Sequence, residues 1–145
     1  MIVRTILTSK ANGEVATTVA SQTVGDAAKL LAEWRIGAVV VVDDKQQLVG
    51  ILSERDIVRG MARFGGAVLQ MIVGDLMTRE VKTCTTADSL ETLMSMMTTN
   101  RIRHLPVVEN GKLAGIVTIG DVVKARLDET TMQVASLRDY VMNAH

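Results

Sequence analysis

Two short patterns in this sequence place a hydroxyl and a carboxylate three residues apart. Ser53 and Asp56 form the first pair, and Thr118 and Asp121 form the second. In both, an apolar strand pattern gives way to a helix pattern at the hydroxyl residue, so each pair is expected at a helix N-terminus. There the carboxylate could accept from the two hydroxyls of a ribose, while free backbone amides could bind a phosphate.

An ordinary helix capping box has the same spacing and needs no ligand. Its hydroxyl accepts from a backbone N–H of the first turn, and its acid offsets the helix dipole. Repetition of the pattern at two equivalent places favours a shared binding function. Capping and ribose binding both stay open at this point.

The two pairs belong to a duplication. Ile36 to Arg59 and Ile102 to Lys124 share an apolar strand, a polar turn, a second apolar strand and a helix start. Matching positions lie 65 or 66 residues apart, because the turn of the first copy is one residue longer. One copy alone would bury only about 60% of its unfolded surface. The two copies are therefore expected to share a core.

Periodicity predicts an α+β fold in which each copy has the order β-α-β-β-α. A lead-in at Ile2 to Leu7 precedes the first copy and is repeated at Val73 to Met77, with Thr8 to Glu14 and Ala67 to Ile72 as connections. The predicted elements are Val15 to Val19, a helix from Thr23, the hairpin strands Val39 to Val42 and Leu48 to Leu52, a helix from Ser53 to Gly65, then Val81 to Thr85, Ser89 to Asn100, His104 to Val117 and Ile119 to Leu127.

These repeats predict three segments: residues 1–66, residues 67–128, and a helical tail at 129–145. The tail has no counterpart in the first copy. It carries Val134, Leu137, Tyr140 and Val141 at helical spacing, so its apolar face is expected to dock as a dimer contact or as a cap on the sheet.

Positive charge is concentrated beside the second pair. Arg101, Arg103 and His104 precede the second hairpin, where the first copy has only Arg35. Such a group could bind phosphate, with the histidine contributing most when protonated. Solvated surface charge is the alternative.

Composition argues against several classes of function. Sixteen basic and sixteen acidic residues cancel and aromatic residues make up 2%, so a nucleic-acid surface is not expected. The longest apolar run, Ala38 to Val42, is far below the ~20 residues that span a bilayer. The start of the chain has no apolar segment of signal-peptide length, which predicts a cytoplasmic protein without membrane insertion.

Catalytic and metal-binding apparatus is not visible either. Gly115 to Gly120 has P-loop glycine spacing, but Asp121 follows where a P-loop needs lysine. Cys84 is the single cysteine and is expected to be a small buried side chain. His104 has only the terminal His145 as a second histidine, so a metal pair is not expected. The sequence predicts a protein that is not an enzyme.

The duplicated stretches resemble a tandem pair of cystathionine-β-synthase-type (CBS) domains, also called a Bateman module, as found in small stand-alone bacterial proteins. The resemblance covers roughly Ile2 to Leu127. Its carriers are GAVVVVDD with LVGILSERDIVR in the first copy, and IRHLPVVENG with LAGIVTIGDVV in the second. It implies a pseudo-twofold pair with two clefts between the copies, which commonly forms disc-like homodimers and senses adenosine-containing ligands such as AMP, ATP, NAD or S-adenosylmethionine.

The resemblance also implies roles for individual residues. Carried over by motif position, the carboxylates would hold ribose hydroxyls, the paired hydroxyls and the basic cluster would face ribose or phosphate, and backbone would edge the adenine. The residues are Asp56 and Asp121 for ribose; Ser53, Thr118, Arg101, Arg103 and His104 for ribose or phosphate; Ala16, Thr17, Lys82 and Thr83 for the adenine edge; and Gly37, Ala38 and Ile116 for the cleft. The first copy departs from the second by having Gly37-Ala38 in place of Arg103-His104, and Val40 in place of Pro106.

Two functions remain open from the sequence. The protein is either a nucleotide sensor that changes the activity of an unidentified partner protein, or a structural dimerisation module with no physiological nucleotide.

Overall fold

The structure, a computed structural model, describes residues 1–10 and 15–143. Six α-helices and five strands are assigned in this part of the chain, with a 3₁₀ helix at Gly65–Gln70 after the third α-helix. The elements are α1 (Val3–Ser9), β1 (Thr17–Thr18), α2 (Val24–Trp34), β2 (Ala38–Val42), β3 (Leu48–Ser53), α3 (Glu54–Phe64), α4 (Val73–Leu76), α5 (Leu90–Asn100), β4 (His104–Glu109), β5 (Lys112–Thr118) and α6 (Ile119–Asn143).

Residue contacts divide the chain into two compact units, each discontinuous in sequence. The Asp56 unit contains residues 15–83 and 106–115, and the Asp121 unit contains residues 1–10, 84–105 and 116–143. The lead-in helix α1 thus lies in the unit of the second copy, and the repeated lead-in α4 lies in the unit of the first. The predicted segments 1–66, 67–128 and 129–145 follow the repeats of the sequence and stay a prediction, because the compact units exchange their lead-ins.

The Asp56 unit is built on a three-stranded sheet with the order β1-β2-β3. β1 runs parallel to β2, and β2 pairs antiparallel with β3 in the predicted hairpin. Every residue of β2 is buried, as its β-branched composition predicts. Helix α2 packs Val24, Ala27 and Leu31 into the core.

The Asp121 unit contains α1, α5, the whole of α6 and the base of the β4–β5 hairpin. Helix α6 contacts both α1 and α5. The buried side chains of this unit are Val3, Ile6, Cys84, Leu90, Leu93, Met97, Leu105, Val117, Val122 and Ala125.

One predicted strand is wrong. Val81 to Thr85 forms no strand, and only Cys84 makes a single-residue bridge. The backbone turns instead: the Asp88 carboxylate accepts from the Thr85 N–H at 2.8 Å, and the Asp88 N–H donates to the Thr85 carbonyl at 3.2 Å. The Asp88 carbonyl then accepts from the N–H of Val3, at the start of α1. These bonds use backbone groups that a strand would pair along a ladder.

The connections also differ from the prediction. Helix α1 runs on to Ser9, because the hydroxyls of Thr8 and Ser9 donate to carbonyls in the preceding turn, at 2.8 and 2.9 Å. The rest of the predicted loop, residues 11–14, lies outside the described residues. Most of the stretch predicted as a connection, Ala67 to Ile72, is 3₁₀ helix as far as Gln70.

The tail is not a separate element. Helix α6 continues for 25 residues from Ile119 to Asn143, since no glycine or proline interrupts the sequence between Asp121 and Asn143. Met132, Leu137 and Tyr140 are exposed, so this part of the tail does not cap the sheet of its own chain. No helix among the described residues is long and apolar enough to cross a membrane.

Candidate functional site

The first hydroxyl–carboxylate pair forms a complete capping box at the start of α3. The Asp56 N–H donates to the Ser53 hydroxyl at 3.3 Å, and the Ser53 N–H donates to Asp56 Oδ2 at 2.9 Å. The Ser53 hydroxyl also lies 3.1 Å from the same carboxylate oxygen. The capping interpretation is therefore confirmed for this pair.

The second pair repeats the arrangement at the start of α6. The Asp121 N–H donates to Thr118 Oγ1 at 3.1 Å, and the Thr118 N–H donates to Asp121 Oδ2 at 2.9 Å. Capping fixes the orientation of each carboxylate and still leaves acceptor sites for other donors, because an ionised carboxylate has about four acceptor sites. Capping and ribose binding are thus compatible at both positions.

Each carboxylate also contacts a residue from outside its capping box, and this residue differs between the two sites. Neither contact was predicted from the sequence. The Thr78 hydroxyl lies 3.4 Å from Asp56 Oδ1. The Lys10 ammonium lies 2.9 Å from Asp121 Oδ2 and donates to the Ile116 carbonyl at 2.8 Å. Lys10 directly follows α1, and Thr78 lies two residues after α4, so the repeat of the lead-in is a sequence signal. Only the exchange of lead-ins between the units brings the two residues to the carboxylates.

The start of the first strand of each hairpin lies beside the hydroxyl–carboxylate pair. The Gly37 carbonyl accepts from the first N–H of α3, and the Arg103 carbonyl accepts from the first N–H of α6, both at 2.9 Å. Ala38 faces Ser53 in the β2–β3 register. Arg103 is exposed and His104 is partly buried. The structure therefore brings the backbone at Gly37, Ala38 and Arg103 next to the hydroxyl residues.

Arg101 has a structural explanation of its own. It ends α5 in the left-handed conformation, with φ 52°, and its N–H donates to the Met97 carbonyl. Arg35 ends α2 in the same way, with φ 53°. A cation at a helix C-terminus is favourable to the helix dipole, so arginine at both places follows from the helix ends alone. A phosphate role for Arg101 stays a prediction.

The predicted adenine-edge residues fall in one unit. In the Asp56 unit, β1 is an edge strand, and the Ala16 carbonyl accepts from the Val40 N–H at 3.2 Å. Thr17 pairs with Val40 in the parallel register, and the outer side of an edge strand offers backbone groups to a ligand. Lys82 and Thr83 also belong to the Asp56 unit, and their adenine-edge role stays a prediction.

Cys84 is 2% exposed, which confirms the predicted buried side chain, and this burial raises the pKa of its thiol to about 12. Among residues 1–10 and 15–143, no three His, Cys, Asp or Glu side chains are grouped to hold a metal ion.

An apolar groove of about 210 Å³ opens between α5 and α6 of the Asp121 unit. This α5–α6 groove is lined by Met94, Thr98, Ile119, Val122, Val123, Arg126 and Leu127. Its lining lacks both residues of the hydroxyl–carboxylate pair, so the groove is a separate surface feature.

Comparison with known proteins agrees with the duplication. The family model of the CBS domain matches residues 3–63 and 73–128. The mitochondrial CBS domain-containing protein CBSX3 of Arabidopsis thaliana is 39% identical over 127 residues, which cover 85% of this chain and 62% of that protein. The chain thus spans less than two thirds of the length of this curated relative.

Two solved structures show the same fold. The CBS-domain protein ATU1752 from Agrobacterium tumefaciens is 45% identical with a TM-score of 0.83, covering 86% of this chain and 92% of that one. The CBS domain pair of protein MJ0100, solved with 5-methylthioadenosine and S-adenosyl-L-methionine, is 27% identical with a TM-score of 0.78 and covers 89% of this chain and 98% of that one. Two family matches on two duplicated units, together with these structures, show that the chain belongs to the CBS-domain family as a tandem pair, a regulatory and non-catalytic class of module.

Proposed function

We propose that this CBS pair is a regulatory module that binds an adenosine-containing ligand, such as AMP, ATP, NAD or S-adenosylmethionine, at the carboxylates of Asp56 and Asp121. The observation that carries the proposal is the pair of capping boxes. Each holds a carboxylate at a helix N-terminus in a fixed orientation, with acceptor capacity left for hydroxyl groups. A ribose supplies two adjacent hydroxyls of the kind such a carboxylate accepts.

The ligand of a related structure supports the choice of adenosine. The two molecules bound by the MJ0100 pair share an adenosine moiety and differ in what is attached to its 5′ carbon. A site that reads adenosine through ribose and adenine tolerates such differences. We therefore assign the ribose to the two carboxylates and the adenine of the Asp56 site to the edge of β1.

The remaining predicted roles follow from position. Ser53 is assigned to a ribose held at Asp56, and Thr118 to a ribose held at Asp121. The Arg103 carbonyl accepts from the N–H of Ile119, the residue after Thr118, so Arg103 and His104 lie next to that pair. Arg103 and His104 are assigned to a phosphate of the ligand, and Arg101 contributes charge from the end of α5. Lys82 and Thr83 keep the adenine-edge role that the family resemblance implies.

Exposed apolar side chains support a homodimer. Helix α3 exposes Val58 and Met61, and helix α6 exposes Val123 and Leu127, together with the tail. Contiguous apolar patches on a small domain usually mark an interaction surface, and identical copies most often meet as twofold dimers. The module would then transmit ligand binding to a partner protein, within the cytoplasm where the proposed ligands are metabolites.

A second function, a structural dimerisation module without a nucleotide, is favoured by one observation. Both carboxylates already have protein partners, and Asp121 is neutralised by Lys10 at 2.9 Å. Such a site is stable with no ligand.

A panel of ligands in thermal unfolding separates the two functions. AMP, ATP, NAD, S-adenosylmethionine and adenosine are compared with ribose 5-phosphate and inorganic phosphate as controls. A ligand at 100 times its dissociation constant stabilises the folded state by about 2.7 kcal/mol. We expect at least one adenosine compound to raise the midpoint in the parent and not in the Asp56→Ala/Asp121→Ala double variant. No shift with any compound at millimolar concentration would favour the structural module.

A further inference from the structure

The two sites differ in the residue that each lead-in delivers to the carboxylate. In the Asp56 unit, Thr78 exchanges two backbone hydrogen bonds with Ile51, at 3.0 and 2.9 Å, which places its hydroxyl beside Asp56. In the Asp121 unit, the carbonyl of Ile116, the repeat equivalent of Ile51, accepts from the Lys10 ammonium instead. A side-chain cation thus stands where the other unit has a neutral hydroxyl.

The ammonium of Lys10 is closely bound. It lies 2.9 Å from Asp121 Oδ2 and 2.8 Å from the Ile116 carbonyl, and the two charged side chains are only 23% and 21% exposed. The hydroxyl of Thr78 is 3.4 Å from Asp56, the long limit of a hydrogen bond between neutral and charged groups. A side-chain cation therefore contacts the carboxylate of Asp121, whereas a neutral hydroxyl contacts the carboxylate of Asp56.

A ribose that binds the other carboxylate oxygen of Asp121 lies beside the Lys10 ammonium, which stays on Oδ2. A neutral ligand gives this ammonium no second anionic partner, so Lys10 adds nothing to the affinity for it. If the ligand carries a 5′-phosphate, the flexible stem of lysine lets the ammonium take that phosphate as a second anionic partner. A ligand with a positive charge near the ribose is disfavoured most.

We propose that Lys10 makes the Asp121 site selective for phosphate-bearing adenosine ligands, whereas the Asp56 site, served by Thr78, is less selective for ligand charge. The proposal rests on the proposed adenosine-binding function and deepens it, because it assigns a ligand class to one of the two sites.

The selectivity assigned to Lys10 is tested by titration calorimetry of AMP and adenosine on variants in which one of the two sites has lost its carboxylate. The Asp56→Ala background reports the Asp121 site, and the Asp121→Ala background reports the Asp56 site. In the Asp56→Ala background, Lys10→Met should lower the preference for AMP over adenosine by about tenfold or more, as expected for one lost charge-assisted hydrogen bond. Lys10→Arg should retain the preference, and Lys45→Met, an exposed lysine in the β2–β3 turn, should leave it unchanged.

The reciprocal change gives a gain. Thr78→Lys in the Asp121→Ala background should raise the preference of the Asp56 site for AMP over adenosine. An unchanged AMP-to-adenosine ratio in Lys10→Met, with both compounds still binding, would overturn the role of Lys10 and leave the proposed function standing. No binding of AMP by the parent protein would overturn the role of Lys10, and the proposed function falls with it only if adenosine, ATP, NAD and S-adenosylmethionine also fail to bind.

Discussion

The backbone N–H of Thr118 donates to the Asp121 carboxylate at 2.9 Å, and the N–H of Asp121 donates back to the Thr118 hydroxyl at 3.1 Å. The residue proposed to bind ribose is therefore also a helix cap. Any substitution at Asp121 changes stability as well as binding, so a change of ligand on the unaltered protein is what separates the two roles.

Arg103 and Arg101 are predicted to differ in their effect on phosphate recognition. Arg103→Ala should weaken AMP binding roughly ten- to a hundredfold and barely affect adenosine, because a charge-assisted hydrogen bond contributes about 1.5–3 kcal/mol. Arg101→Ala, at the left-handed end of α5, should mainly lower stability. Calorimetry with both ligands checks the pair of variants. Equal losses of AMP and adenosine affinity in Arg103→Ala would mean that the arginine supports the shape of the site.

The local elements of this fold could be predicted from sequence, because their signals lie within a few residues. Thr23, Ser53 and Ser89 cap helices through hydrogen bonds to the third residue after them, and the β2–β3 hairpin follows from two apolar runs around Asp43. A cap needs only one side chain and the next turn of backbone.

The features that the sequence did not predict depend on distant contacts. Lys10 reaches Asp121 across more than a hundred residues, and Thr78 reaches Asp56 only because α4 packs in the unit of the first copy. The strand predicted at Val81 to Thr85 failed for a local reason, since Asp88 turns the chain. The capping boxes were visible in the sequence, but the partner that sets the charge of each site was not.

The thiol of Cys84 should be unreactive in the folded protein. Its pKa of about 12 leaves almost no thiolate at pH 8, and the side chain is buried. A disulfide reagent at pH 8 should modify it slowly in buffer and rapidly in denaturant. The folded state also holds this proton more tightly than the unfolded state, whose thiol pKa is about 8.5, so stability should fall as the pH rises from about 9 toward 12. Rapid native labelling at pH 8 would contradict this prediction.

Gly60 should be required for the packing of α3. A Cβ atom there would lie 2.8 Å from Val68 Cγ2 and 3.1 Å from Leu76 Cδ1, so Gly60→Ala should lower the free energy of unfolding by about 1–3 kcal/mol. Gly66→Ala is the control, because a Cβ atom at Gly66 meets nothing within 4 Å. Urea unfolding measures both. Equal stabilities of the two variants would show that α3 shifts to accept the methyl group.

The protein should be a homodimer. Light scattering at micromolar concentration should give about twice the chain mass of 15.7 kDa. Leu127, which is 62% exposed and lines the α5–α6 groove, is a suitable site for disruption, so Leu127→Glu should shift the protein toward monomer without loss of folding. Gln47→Glu, at an exposed turn position, adds the same charge as a control. A parent mass of 15.7 kDa would contradict the dimer.

The most direct test of adenosine recognition by Asp56 and Asp121 removes the ribose hydroxyls and leaves the protein unchanged. Titration calorimetry compares adenosine with 2′,3′-dideoxyadenosine on the parent protein, and repeats both on the Asp56→Ala/Asp121→Ala double variant. We expect dideoxyadenosine to bind the parent protein roughly ten- to a hundredfold more weakly than adenosine does, because it loses hydrogen bonds to a charged group. The double variant should bind the two compounds with equal affinity. Equal affinities of the parent for adenosine and dideoxyadenosine would contradict the assignment of ribose to these carboxylates.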